Sequence, residues 1–149
     1  MVNLRIFVAC ERVLIDQQQN GIASLIALFD KLTMTLVKGA AEIPANAVAP
    51  KEWAIFSKWD TEPEDAGKEF TICTQILYPD QSQFGELGKT PLKIEANKKG
   101  QAIVKILGFP LGQEGFYTVR TWLEENGSRI GDAAEFKLEL EIVKSEQLQ

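Results

Sequence analysis

The chain holds no histidine, and that absence removes more chemistry than any motif supplies. Without an imidazole there is no Ser-His-Asp or Cys-His relay, no imidazole metal ligand and no histidine proton switch. Two cysteines, Cys10 and Cys73, cannot make a normal zinc site without histidine. Neither of the usual phosphate-cradling glycine patterns, Gly-x-x-x-x-Gly-Lys-Ser/Thr or Gly-x-Gly-x-x-Gly, occurs. What remains for catalysis is a carboxylate pair of the kind glycosidases use. With 21 acidic residues some pair falls near that separation by chance, so a carboxylate-dependent hydrolase is the weakest reading. The expectation is a protein that is not an enzyme and carries no cofactor.

Two groups of residues could bind rather than react. Asp16, Asp60, Glu62, Glu64, Asp65, Glu124 and Glu125 lie in or beside loops 16–21, 60–67 and 124–128. If the strands simply run up and down, these loops share one end of the molecule with loop 97–100. Carboxylates converging there could hold calcium, which takes six to eight oxygens. The competing reading is that wet loops of an acidic protein are acidic, and no Asp-x-Asp ligand spacing occurs. The second group is Trp122 with Arg120. Trp122 is out of phase with Tyr117, Val119 and Leu123, which points it outward beside Arg120. An exposed tryptophan can stack on a sugar or anchor a protein interface. The alternative is that both sheet faces are partly covered there, or that Trp122 packs under loop 60–67. Trp53 and Trp59, in phase with Ile55, read as core.

These residues must be positioned by strands. Phe136, Leu138, Leu140 and Ile142 alternate with Glu135, Lys137, Glu139 and Glu141, the period of a strand with one wet face. Similar rows are Leu4, Ile6, Val8 and Cys10; Trp53, Ile55, Ser57 and Trp59; Phe70, Ile72, Thr74 and Ile76; Leu92, Ile94 and Ala96; and Tyr117, Val119, Thr121 and Leu123. The run 24–37 fits two strand frames with a bulge near Asp30, and a helix over 23–32 remains open. Asn20-Gly21, Lys99-Gly100 and Asn126-Gly127 supply tight reversals, the last being the best hairpin signal. Longer loops are expected over 38–51, 60–68 and 79–89. About eight strands without a crossover helix predict an all-β, two-sheet antiparallel sandwich, with residues 1–149 as one domain. Gly115-Phe116-Tyr117-Thr118-Val119 has the form of a tyrosine corner and favours the immunoglobulin-like kind.

Charge and hydropathy narrow the setting. A net charge of −5 disfavours nucleic acid and anionic membrane as partners. Phe7-Val8-Ala9-Cys10 looks slightly like a lipoprotein processing site. Only five apolar residues follow Arg5 before Glu11-Arg12, however, which is short for a secretory segment and suits a first strand. No run approaches the roughly 20 apolar residues of a membrane span. Two cysteines inside apolar runs read as free thiols, and the expected location is cytoplasmic.

Phe7-Val8-Ala9-Cys10-Glu11, Asn20-Gly21 with Ser24-Leu25-Ile26, and Gly108-Phe109-Pro110 with Glu114-Gly115-Phe116-Tyr117 resemble one known group. It is a family of bacterial and archaeal proteins catalogued as a domain of unknown function. The resemblance implies a β-sandwich and transfers no reaction, ligand or functional residue. The preferred expectation is a non-catalytic module that binds another protein or a second copy of itself as a homodimer. Trp122 and Arg120 are its interface candidates. Charged residues guard the last strand against stray pairing, whereas the first, over residues 4–10, is a less protected contact edge. The alternative is a calcium- or carbohydrate-binding sandwich using Asp16, Asp60, Glu62, Asp65 and Glu124.

Overall fold

The computed structural model describes residues 2–16, 22–37, 42–93 and 100–144. Those residues form nine strands: β1 (Asn3–Asp16), β2 (Ile22–Leu28), β3 (Lys31–Leu36), β4 (Val48–Asp60), β5 (Glu69–Leu77), β6 (Gln83–Lys93), β7 (Gly100–Pro110), β8 (Gly115–Glu125) and β9 (Ser128–Lys144). A 3-10 turn at Pro63–Asp65 is the one helical element among the described residues. The chain is all-β. One sheet has the order β2-β1-β4-β7 and the other β3-β9-β8-β5-β6.

Every pairing is antiparallel except β3 with β9, which is parallel and corrects the expectation of a purely antiparallel fold. The cause lies in the run 22–36, which is extended throughout and not helical. Where a bulge was expected, near Asp30, the chain changes sheets. Phe29 N–H still donates to the Ala9 carbonyl in the first sheet (3.2 Å), while the Asp30 carbonyl accepts from Glu139 N–H in the second (2.8 Å). Continuing in one direction, a strand antiparallel to β1 arrives parallel to β9. The ninth strand, β7, has no alternating signature in the sequence, because Ala102, Ile103, Val104, Ile106 and Leu107 are nearly continuous. β6 fills much of the segment expected to be loop 79–89. Of the row Leu92, Ile94 and Ala96, only Leu92 lies among the described residues, and the turns at Asn20-Gly21 and Lys99 lie outside them.

The core is shared by both sheets. Ala9, Trp53 and Ile55 from the first meet Ile76, Tyr117, Val119, Leu138 and Leu140 from the second. A smaller cluster holds Trp59, Phe70, Ile72, Leu92, Ala102 and Leu123, with Val2 and Leu4 against it. Within β1 the expected face is corrected. Phe7 and Ala9 point into the core, and a register shift between Leu4 and Ile6 returns Leu4 to the inner side. That leaves Ile6, Val8 and Cys10 on the opposite face.

The turn between β7 and β8 is held by Tyr117. Its hydroxyl lies 2.5 Å from the Gln113 carbonyl and 3.2 Å from that of Pro110, with the ring fully buried. Burial pushes the phenol up to about 12. In the same turn Gly112 is obligatory: a Cβ there would sit 1.9 Å from the Ala45 carbonyl oxygen. Asn126 (φ 51°) and Gly127 (φ 79°) supply the two positive-φ positions of the hairpin joining β8 to β9, as their sequence predicts.

Candidate functional site: a cleft between two strand edges

The two long sides of the molecule differ. On one, β6 and β7 bring the sheets together, with Gly88 beside Val104 and Gly100 against the Leu92 side chain. On the other, β1 and β9 face each other with part of the join unfilled. β2 covers β1 only from Cys10 onward, and β3 covers β9 only from Glu139 onward. Among the described residues, no strand pairs with these sides of β1 before Ala9 or of β9 before Glu139. The cause is again the sheet change at Phe29–Asp30, which ends both coverings together.

The uncovered stretch holds two clefts. The larger, about 560 Å³, has walls of Val2, Leu4, Trp59, Phe70, Leu123 and Ile130. Its rim carries Glu64, Asp65, Lys68, Glu125 and Asp132. The smaller, about 360 Å³, lies between Val8, Leu28, Phe29 and Lys137. Phe7 and Phe136 line the smaller cleft and bridge the two sheets beside it, their rings edge to face with centroids 4.6 Å apart. Trp59, on the floor of the larger cleft, donates its indole N–H to Ser57 Oγ at 3.1 Å, so its ring is fixed. Apolar walls with a few rim charges are the usual make-up of a binding site.

The rim carboxylates are not alike. Asp65 is buried within the 3-10 turn, accepting from Glu62 N–H (3.1 Å) and Lys68 Nζ (3.4 Å). The Glu62 amide hydrogen bond holds its carboxyl below the ordinary range despite desolvation. It caps the turn. Glu125 and Asp132 come from the β8–β9 hairpin region and lie at the cleft mouth.

Of the expected acidic convergence, Glu64, Asp65 and Glu125 meet at the larger cleft, but Asp16 does not join them. Asp60 lies opposite Asn3 at one end of β1, whereas Asp16 is at the other end. Thirteen residues of strand separate Asn3 from Asp16, roughly 43 Å at about 3.3 Å per residue. Asp60 instead pairs with Arg5 at 3.3 Å. Glu124 points to the outer face, where it accepts from the Trp122 indole N–H (3.2 Å). Among the described residues no group of three or more carboxylates or thiols could hold a metal ion.

Trp122 faces outward, as its phase predicts, but it is 7% exposed, which corrects the expectation of an open interface residue. The guanidinium over its ring belongs to Arg129, 4.5 Å from the centroid, and not to Arg120. Arg120 pairs across the sheet with Glu135 at 3.2 Å. Buried Cys73 lies opposite Trp122, and burial first, then Glu124, raises its thiol to about 11. Such a thiol is unreactive at neutral pH. The cleft residues Leu4, Phe70 and Leu123 read in sequence as ordinary core. Only Ile130, an apolar residue beside Gly131 in a hairpin, signals an exposed apolar wall.

Comparison with known proteins adds no function. No family model matches the chain, and no curated protein does. Among solved structures, a conjugative transposon lipoprotein from Bacteroides eggerthii is similar at 15% identity and a TM-score of 0.34, over 66% of this chain and 91% of that one. An alkylpurine DNA glycosylase from Pseudomonas fluorescens bound to DNA is similar at 12% identity and a TM-score of 0.38, over 89% of this chain. This chain matches 30% of the glycosylase's length. No helix among the described residues is long and apolar enough to cross a membrane.

Proposed function

We propose that this chain is a non-catalytic, immunoglobulin-like β-sandwich that binds another protein at its open side, in a cytoplasmic setting. The observation carrying this reading is the larger cleft, apolar in its walls, rimmed by carboxylates and lying between two uncovered strand edges. The immunoglobulin-like assignment rests on the Tyr117 corner and on the change of sheet between β2 and β3. The resemblance to the bacterial and archaeal family supports the same fold and nothing further. The two free, buried cysteines fit a reducing compartment.

A photo-crosslinking residue replacing Ile130, at the cleft, should capture a partner in extract of the source cells. The same probe replacing Phe116, exposed elsewhere, should not. Equal capture from both positions, or none from Ile130, removes the cleft as the binding site.

A further inference from the structure

We propose, building on the binding reading above, that the occupant of the open side is an extended, basic segment of a partner protein. It adds as a strand to the edge of β1 and places two apolar side chains in the two clefts.

The main chain of β1 offers the edge. Ala9 still gives its carbonyl to Phe29, so the groups of alternate residues in this stretch point to the same side. Two residues back, the N–H and carbonyl of Phe7 therefore face the side that β2 has left. An edge of this kind is a template for another strand, and strand addition draws affinity from main-chain bonds and specificity from side-chain pockets.

The facing edge is guarded. Arg120 pairs with Glu135, and Lys137 Nζ donates to Thr118 Oγ1 at 2.6 Å. Charges flank β9 on its outer face, while β1 carries Ile6 and Val8 in the equivalent places and Arg5 alone among charges there. Of the two edges, β1 is the one left open to pairing.

The clefts set the spacing. Leu4 lines the larger cleft and Ala9 the smaller, both from the inner face of β1, and across the ladder they stand opposite Trp59 and Ile55 of β4, four residues apart. An added strand running beside β1 would thus bear its anchors about four residues apart, roughly 13 Å. Residues at that interval point to one face of a strand, as two clefts opening on one side require.

Charge sets the composition. Glu125 and Asp132 stand at the mouth of the larger cleft. The rim cation, Lys68, is already paired with Asp65 at 3.4 Å. With a net charge of −5 the chain repels an acidic segment and favours lysine or arginine beside the anchors.

The test is selection from a displayed library of random peptides roughly ten residues long, enough for one strand of about 33 Å. Enriched peptides should carry two apolar residues four apart, with lysine or arginine nearby and no proline between. A synthetic copy should slow hydrogen exchange at the Phe7 amide by at least about tenfold. A proline placed between the anchors should abolish binding, because it removes a ladder donor. The Glu125→Lys, Asp132→Lys variant, checked for an unchanged melting temperature, should lose at least about tenfold in affinity.

Several results overturn the proposal. Peptides that bind at the cleft without protecting Phe7, or that tolerate the proline, exclude strand addition while leaving a binding module. Enriched acidic peptides exclude the charge assignment. An unenriched library excludes both this inference and the broader reading. A particle of twice 16.6 kDa with Phe7 already protected makes a second copy the occupant instead.

Discussion

The two long sides of this molecule are built from the same kind of strand, yet one is closed and the other gapes. On the closed side Leu92, from β6, is 5% exposed and packs against Gly100 of β7, where the missing side chain makes room for it. On the open side Leu4 occupies the comparable place near the start of β1, but it lines the cleft and is only half-buried. The difference is one of chain path and not of residue type. β6 and β7 run to the ends of their sheets, whereas the covering strands β2 and β3 are two halves of one run that changes sheets at Phe29–Asp30. A single crossing therefore closes one half of this side and leaves the other half without a paired strand among the described residues.

The sharpest way to break the comparison is a matched pair of truncations. Leu92→Ala should cost about 2–5 kcal/mol, since it empties a packed site. Leu4→Ala should cost about 1 kcal/mol or less, because water already reaches its cleft. Urea unfolding midpoints measure both, and equal losses would show that the open side is packed like the closed one.

A smaller effect is expected where the chain crosses between sheets at β7–β8. Tyr117→Phe removes the shared hydroxyl hydrogen bond to Gln113 and Pro110 and should cost about 1–2 kcal/mol at neutral pH. The sign with pH follows from the raised phenol. Folded Tyr117 holds its proton to about 12, above the unfolded value of about 10. Its contribution is complete below the unfolded value and is lost as pH rises through the folded one. The gap between wild type and Tyr117→Phe should therefore narrow between about pH 10 and 12. A widening gap in alkaline unfolding would contradict the buried, protonated corner.

The smallest effect belongs to the guard on β9. Arg120 and Glu135 are both substantially exposed, so a double-mutant cycle should return about 0.2–1 kcal/mol. A larger coupling would mean that this edge is held by its charges and not merely shielded by them.

Several parts of this arrangement are legible from residue order. The alternation in 135–142 and 117–123, the hairpin at Asn126-Gly127 and the corner at Tyr117 all rest on neighbours within a few residues. Those neighbours decide φ, period and local hydrogen bonding without reference to the rest of the chain. The core placement of Trp53 and Trp59 follows from the same period, and both are buried. The site was not legible in this way. Leu4, Trp59, Phe70, Leu123 and Ile130 come from five strands, and nothing in their spacing distinguishes a cleft wall from a packed core.

Sequence by itself determined the all-β class, the lack of histidine chemistry, the acidic surface and the outward phase of Trp122, because these are properties of composition and of period two. Tertiary structure alone decided that Arg129 covers Trp122, that Asp16 and Asp60 lie at opposite ends of β1, and that the last strand receives a parallel neighbour. It also decided which strand edges stay open. Each of these depends on where one strand leaves its sheet, and at Phe29–Asp30 that is settled by Phe29 bonding to Ala9 and Asp30 to Glu139, partners over a hundred positions apart in the chain.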